Sequence, residues 1–108
     1  IVDVCFVTTP FEQSQTWAYD RLCWLRRHFK ASNDDVYFAF DKSRIEGDMI
    51  VDDNIKHVRA WSSKNKEKHG LLFSRPYNIH EHAEHRVRSW ADISREVHEM
   101  VRFGSRVI

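Results

Sequence analysis

Four short apolar segments of this chain end in polar side chains that could bind a phosphate group. The residues at these ends, in chain order, are Thr8 and Thr9, Lys42, Asp52 and Asp53, and Ser74 and Arg75. Hydroxyl groups can hydrogen-bond to phosphate oxygens, and a lysine ammonium can neutralise their charge. A carboxylate pair that faces a phosphate group must be bridged to it by a hard cation such as Mg²⁺. The residue types therefore indicate a phosphoryl-binding site that uses Mg²⁺, provided that the fold brings the ends together.

Strand and helix patterns alternate along the chain and explain how these ends could meet. Short apolar segments predict strands at residues 1–7, 36–40, 49–51 and 71–73. Apolar residues spaced by three or four predict helices at about 14–29, 55–61 and 90–103, with Ser14 and Ser89 as caps. This alternation is typical of an α/β fold with a parallel sheet. Ligands bind such sheets beyond the carboxyl ends of the strands, so the polar ends are expected on one rim.

Length and composition indicate a single folded domain over residues 1–108. Of the 108 residues, 42% are hydrophobic and 31% are charged, which is enough apolar material for one core. The formal net charge of +1 is too balanced to predict strong binding to nucleic acid or to an anionic membrane. No apolar run reaches the roughly 18 residues that a membrane span requires, so we expect no membrane association.

The two cysteines, Cys5 and Cys23, stand among apolar neighbours. A free cysteine behaves as a small hydrophobic residue, so this setting predicts buried, reduced thiols rather than a disulfide or a metal-binding pair. Reduced thiols favour a reducing compartment, and we therefore expect a cytoplasmic location.

Other polar and aromatic residues have simpler interpretations than ligand binding. His80, His82 and His85 fit no closed structural zinc site, and we interpret their segment as a solvated loop. The polar and mostly basic stretch 62–69 is also predicted to be a solvated loop. Core packing rather than base stacking is expected for the four tryptophans, Trp17, Trp24, Trp61 and Trp90.

Each candidate site residue also has an ordinary structural interpretation. The segment Thr8–Pro10 could simply end a strand, because threonine and proline are common in turns. Lys42 alone could be a surface lysine. The segment Asp52–Asn54 could cap the helix that follows it. The joint placement of these residues at strand ends favours the phosphoryl-binding interpretation.

Several of these segments resemble the motifs of haloacid dehalogenase (HAD) phosphatases. The matching segments are Val7–Pro10, Tyr19–Arg21, Trp24–Leu25, His28–Phe29, Phe40–Lys42 and Met49–Asp53. More narrowly, the chain resembles the 5′(3′)-deoxyribonucleotidase group of that superfamily, over positions 2 to about 95. The resemblance implies a three-layer α/β/α Rossmannoid sheet. It also implies Mg²⁺-dependent hydrolysis of the phosphate ester of a nucleoside monophosphate.

The resemblance implies a role for each residue at the first three strand ends. Thr8 falls on the hydroxyl that hydrogen-bonds the transferring phosphate, and Thr9 falls on a neighbour that assists it. Lys42 falls on the lysine that steadies the phosphate and the aspartyl nucleophile. Asp52 and Asp53 fall on the carboxylates that hold Mg²⁺, directly or through water. Which of the two binds the metal directly is left open.

One motif of the family does not occur in this sequence. An apolar strand that ends in Asp-x-Asp supplies the nucleophilic aspartate and the general acid, and no Asp-x-Asp is present. In the family this strand lies between the strand ending at Thr8 and the strand ending at Asp52, so a gap in the sheet is expected. We therefore expect the chain to be the C-terminal portion of the fold. An N-terminal segment or a companion chain that carries Asp-x-Asp would complete it, and a homo-oligomer is left open.

Two other functions stay open at this point. A Rossmannoid subunit could bind a nucleotide or a protein through the same rim without catalysis, and metal-dependent turnover would distinguish this case. A HAD relative could instead remove phosphate from the end of a polynucleotide. Competition between mononucleotide and oligonucleotide substrates would distinguish that case.

Overall fold

All strand pairs in the described chain are parallel. The computed structural model describes residues 3–65 and 68–104, with side chains as far as position 102. The chain divides after Lys42 into two compact units, and its described strands pair as two small sheets. The predicted α/β class with parallel strands is therefore confirmed.

The first unit consists of two strands and one helix. β1 (Phe6–Thr8) pairs in parallel with β2 (Val36–Phe38), and α1 (Trp17–Phe29) connects the two strands. Thr8 is therefore at the carboxyl end of its sheet. Residues 1–2 of the predicted first strand lie outside the described residues.

Aromatic rings pack α1 on this sheet. The Phe29 ring centroid lies 5.2 Å from that of Phe6, and the Trp17 centroid lies 5.0 Å from that of Phe38. Leu25 is the most deeply buried side chain of the helix, with 4% exposure. Aromatic pairs at these distances add to the free energy gained by burying apolar surface. These contacts therefore hold the helix against both strands.

β2 differs from the strand predicted at 36–40. It ends at Phe38, and the Tyr37 and Phe38 side chains are 45% and 42% exposed. The prediction that this strand is buried on both faces is therefore wrong. Phe38 contacts Trp17 of α1 and is the last residue of the strand, whereas Tyr37 lies on the opposite face, which α1 does not cover.

Two local predictions in the first unit are also wrong. The residue at the start of α1 is Thr16 rather than Ser14, and it makes no side-chain capping bond. Its hydroxyl instead donates to the Asp20 carboxylate at 2.9 Å, while Ser14 belongs to the preceding turn.

Cys5 is exposed rather than buried because it precedes β1, whereas Cys23 is half-buried on α1. Both are free thiols.

The second unit contains three strands and two helices. Its elements are β3 (Met49–Asp52), α2 (Ile55–Lys64), β4 (His69–Phe73), β5 (Arg86–Val87) and α3 (Trp90–Gly104). The sheet order is β3-β4-β5, and all three strands run in parallel. β4 is therefore the central strand. The carboxyl ends of β3 and β4 lie at the same edge of the sheet.

The core of this unit lies between α2 and the sheet. Val58 and Trp61, the two predicted apolar residues of this helix, are 5% and 2% exposed, so their placement is confirmed. The Trp61 indole N–H donates to the Ile45 carbonyl at 3.0 Å. Leu71 and Leu72 of the central strand are 1% and 0% exposed, so both faces of this strand are covered.

Gly70 of β4 allows α2 to approach the sheet closely. A Cβ atom at this position would collide with the Ser62 hydroxyl and would lie 3.4 Å from a methyl group of Val58.

The solvated loop predicted at 62–69 is wrong at both ends, because α2 continues into it and β4 begins within it. Residues 66–67 of that stretch lie outside the described residues.

The four tryptophans differ in how far their side chains are exposed to solvent. Trp61 is buried and Trp17 is half-buried, in agreement with a packing role. Trp24 and Trp90 are 47% and 71% exposed, so their predicted place in the core is wrong. Trp90 is the first residue of α3, and its ring centroid lies 6.2 Å from that of Phe73.

α3 begins as predicted. The Ser89 hydroxyl accepts a hydrogen bond from the Asp92 N–H at 3.1 Å, and the Asp92 carboxylate accepts one from the Arg88 N–H at 2.9 Å. The bond from Arg88 is the main reason that the pKa of Asp92 lies below its usual range. Neither α3 nor any other helix in the two described stretches is long and apolar enough to cross a membrane.

Candidate functional site

Asp52 and Asp53 occupy the turn that leads from β3 into α2. Asp52 is the last residue of the strand, and its Oδ1 accepts a hydrogen bond from the Asn54 N–H at 2.9 Å. Asn54 caps the helix, because its side-chain oxygen accepts the Lys56 N–H at 3.0 Å. The helix cap therefore does not depend on the side chain of either aspartate.

Asn78 holds the turn that contains Asp53. Its side chain is buried, and its Nδ2 donates to the carbonyl oxygens of Asp53 at 2.8 Å and Phe73 at 2.9 Å. Its Oδ1 accepts hydrogen bonds from the Arg75 N–H at 2.9 Å and the Arg86 Nη1 at 3.2 Å. Both donors and both acceptor positions of this amide are therefore used. A buried amide with all its bonds made fixes the main chain that it contacts.

Tyr77 contacts the same turn from the outside. Its phenol O–H donates a hydrogen bond to the Asp53 Oδ2. This bond is the main reason that the pKa of Tyr77 lies above its usual value. Desolvation of the phenol and the negative charges of Asp53 and Asp52 also raise this pKa, whereas the positive charge of Arg75 lowers it. Asp53 is thus held through its main chain by Asn78 and through its carboxylate by Tyr77.

The hydrogen bond between Tyr77 and Asp53 predicts a late-titrating tyrosine. The bond requires a protonated phenol, so it stabilises the fold below the usual tyrosine pKa of about 10 and is lost as the pH rises through the higher folded value. In a spectrophotometric titration near the tyrosinate band, Tyr77→Phe should remove a component that titrates above the usual range.

Asp53→Asn provides the control for that titration. It removes the carboxylate charge and keeps the phenol, so the Tyr77 component should move to lower pH. Identical titration curves for the native protein and Asp53→Asn would contradict the assigned hydrogen bond.

The structure places Thr8, Thr9 and Lys42 in the first unit. Thr8 ends β1, and its carbonyl oxygen accepts a hydrogen bond from the Ala39 N–H at 3.0 Å. The Thr9 Oγ1 is buried and has no hydrogen-bond partner among the residues that the structure describes. Lys42 is half-buried and begins a single 3₁₀ turn, Lys42–Arg44, after β2.

In the second unit, Asp52 and Asp53 bring two carboxylates into one turn. Mg²⁺ prefers hard oxygen ligands and is commonly bound by one or two carboxylates together with water and phosphate oxygens. The donor set of this turn fits that preference. Across residues 3–65 and 68–104, no group of three or more His, Cys, Asp or Glu side chains is placed to hold a metal ion.

The sequence did not identify Asn78, Tyr77 or Arg86 as supports of the site. Tyr77 and Asn78 lie in a 3₁₀ turn that begins at Pro76, and no apolar pattern marks them. A buried asparagine shortly after a turn-forming proline is the one signal that could have suggested them. Arg86 begins β5 directly after the predicted loop of histidines, of which His80, His82 and His85 are exposed.

Comparisons with known proteins bear on the identity of this chain. Residues 1–103 match the sequence model of the family described as "5' nucleotidase, deoxy (Pyrimidine), cytosolic type C protein". Proteins from two strains of Staphylococcus epidermidis, each named "Putative 5'(3')-deoxyribonucleotidase", are 28% identical to it over 90 residues. The aligned part is 82% of this chain and 47% of each relative. The chain therefore spans about half the length of these curated relatives.

The family match extends over both units of the chain. It includes every segment that carries the resemblance to HAD phosphatases, from the β1 end to the aspartate pair. The two parallel sheets are part of a Rossmannoid fold of the HAD type. The chain belongs to the family described as "5' nucleotidase, deoxy (Pyrimidine), cytosolic type C protein".

Proposed function

We propose that this chain is the C-terminal part of a Mg²⁺-dependent phosphate-monoester hydrolase. More narrowly, the hydrolase would be a 5′(3′)-deoxyribonucleotidase that acts on nucleoside monophosphates. The observation that carries the proposal is the aspartate pair, Asp52 and Asp53, at the carboxyl end of β3 in a chain of a nucleotidase family. The names of the two staphylococcal relatives support the same substrate class.

Thr8, Thr9 and Lys42 would bind the phosphate group of the substrate. The buried Thr9 hydroxyl supports this role, because a buried polar group without a partner costs about 1–3 kcal/mol and a phosphate oxygen would satisfy it. The Thr8 hydroxyl would donate to a second phosphate oxygen. The Lys42 ammonium would stabilise the negative charge that develops on the phosphoryl oxygens in the transition state.

Asp52 and Asp53 would hold Mg²⁺. When bound, the cation supplies charge neutralisation for the phosphate group. Asn78 and Tyr77 would keep the Asp53 turn in one conformation, because they bond its main chain and its carboxylate respectively. Preorganisation of this kind lowers the reorganisation that the site must undergo during the reaction.

The nucleophile would come from an Asp-x-Asp segment outside these 108 residues. A carboxylate oxygen of that segment would attack phosphorus, and the bond from phosphorus to the nucleoside oxygen would break as the general acid protonates that oxygen. Water would then hydrolyse the aspartyl-phosphate and release inorganic phosphate. An N-terminal segment or a companion chain with Asp-x-Asp is therefore the partner that the proposal requires. The free thiols of Cys5 and Cys23 support a cytoplasmic location.

Two measurements on the purified full-length protein test the proposal. Intact mass spectrometry under denaturing conditions should reveal a polypeptide that contains Asp-x-Asp, either continuous with this chain or beside it. The native protein should release inorganic phosphate from deoxyribonucleoside monophosphates with Mg²⁺ and not with EDTA.

Lys42→Ala should lower turnover by at least about 100-fold, because it removes a charge that stabilises the transition state.

Two outcomes would contradict the proposal. A folded protein that binds nucleotides without metal-dependent turnover would be a binding subunit. A protein that prefers oligonucleotide ends over mononucleotides in direct competition would be a polynucleotide-end phosphatase.

A further inference from the structure

A positively charged cavity opens in the second unit beyond the end of β4. It has a volume of about 500 Å³, and its described lining residues are Ser74, Arg75, Pro76, Ile79, Arg86 and Arg88. We call this cavity the arginine groove. Three arginines and no acidic residue are among these six, so the groove carries a positive potential.

Arg86 contributes a charge that no carboxylate of a described residue neutralises. Its guanidinium donates to the Ser74 hydroxyl at 3.1 Å and to the Asn78 Oδ1 at 3.2 Å. It also donates to the main-chain carbonyls of Asn78 at 3.2 Å and Glu81 at 2.6 Å. All four acceptors are neutral, so both Nη groups are used while the charge is not balanced within the described part of the chain. A half-buried charge in this state is unfavourable, and an anion in the groove would stabilise it.

Arg75 and Arg88 add two further charges to the same wall. The Arg75 guanidinium lies 5.0 Å from the Phe73 ring centroid, a contact that positions the charge without neutralising it. The Arg88 side chain makes no hydrogen bond or ion pair with a described residue, although its main-chain N–H donates to Asp92. Asp92 is the acidic group beside Arg88, and it also pairs with Arg95 at 3.4 Å. The groove therefore keeps an excess of positive charge.

We propose that the arginine groove binds an organic phosphate. The Arg75 and Arg88 guanidinium groups would bind the phosphate oxygens through paired N–H donors, and the charge of Arg86 would attract the phosphate from the wall of the groove. The Ser74 hydroxyl accepts its bond from Arg86 and can direct its own hydrogen to the ligand. Pro76 and Ile79 form an apolar wall, and Ile79 is 63% exposed, so the apolar part of the ligand would cover them. This site does not rest on the proposed hydrolysis, because Thr8, Thr9, Lys42, Asp52 and Asp53 are not among its lining residues.

Phenylphosphonate is a suitable probe because it carries a phosphate-like group on an apolar ring and has no ester bond to hydrolyse. It would be titrated calorimetrically into the full-length protein in EDTA, beside inorganic phosphate. Phenylphosphonate should bind more tightly, because its ring contacts the apolar wall. The double variant Arg75→Ala/Arg88→Ala should bind at least about tenfold more weakly, since each charge-assisted contact contributes at least this factor. Both replaced side chains are exposed, so the variant should fold, and circular dichroism checks this.

Arg27→Ala/Lys56→Ala is the matched control, because it removes the same charge from two exposed positions that do not line the groove. Its affinity for phenylphosphonate should equal that of the native protein. Equal weakening in both double variants would show binding to net charge alone and would overturn the proposal. Unchanged affinity in Arg75→Ala/Arg88→Ala would overturn it as well. A loss only in Lys42→Ala would place the ligand at the proposed catalytic residues and would also overturn it.

Discussion

If the proposed function is correct, replacing Asp52 by asparagine is expected to lower the turnover number of the full-length protein by at least about 100-fold. Asparagine has nearly the same size as aspartate, and its oxygen can still accept the hydrogen bond that the Asn54 N–H makes to Asp52. The negative charge that would bind Mg²⁺ is lost, so the variant should keep its fold and lose its activity. Phosphate release from a deoxyribonucleoside monophosphate at saturating Mg²⁺ measures the effect.

Asp48→Asn is the matched control for this prediction. Asp48 stands directly before β3, at the opposite end of the strand from Asp52, and its side chain is 80% exposed beside Lys68. The same chemical change there should leave turnover within experimental error of the native value. A similar loss in both variants, or full activity in Asp52→Asn, would contradict the metal-binding role.

Replacing Trp61 by alanine should have the largest effect on stability. The side chain is 2% exposed, and its N–H bonds the Ile45 carbonyl, so truncation leaves a large cavity and an unpaired carbonyl. Losses of this kind reduce the free energy of unfolding by about 3–5 kcal/mol. Urea unfolding followed by circular dichroism measures this quantity without relying on tryptophan fluorescence.

Two further variants test the cause of that loss. Trp90→Ala removes a side chain that is 71% exposed, and should change the free energy of unfolding by less than about 1 kcal/mol. Trp61→Phe keeps most of the buried volume and loses the N–H donor, so its effect should be intermediate. A loss for Trp90→Ala as large as that for Trp61→Ala would contradict the placement of the core.

Periodicity was informative where one face of an element is buried. The spacing of Val58 and Trp61 placed both residues correctly on the inner side of α2, because a helix that packs on a sheet must bury one stripe. The same reasoning failed for β2, since an apolar run does not show how many neighbours a strand has. Tyr37 lies on the face of its sheet that α1 does not cover, and Phe38 is the last residue of its strand, so both are exposed.

The two aspartates of the candidate site could be predicted from the sequence, whereas the residues that support them could not. Asp52 and Asp53 follow an apolar segment, so strand-end chemistry alone drew attention to them. Asn78 lies 25 residues after Asp53 in the sequence, and its role exists only because a turn beyond β4 returns to the turn after β3. Arg86 could not be predicted for a different reason. It begins a strand of two residues, which is too short to show an alternation of apolar and polar residues.

The hydrogen bonds of Asn78 make the Asp53 turn and the end of β4 one cooperative unit. Local opening of either segment must break bonds that also order the other, so both segments lose protection from amide hydrogen exchange in the same event. The Arg75 amide, whose hydrogen is donated to the Asn78 Oδ1, therefore reports on the order of the chain at Asp53. Thermal fluctuation of the turn Pro76–Asn78 reaches Asp53 through the Asn78 amide at its main chain and through the Tyr77 hydroxyl at its carboxylate. The lifetime of these bonds limits how long the Asp53 turn keeps a single conformation.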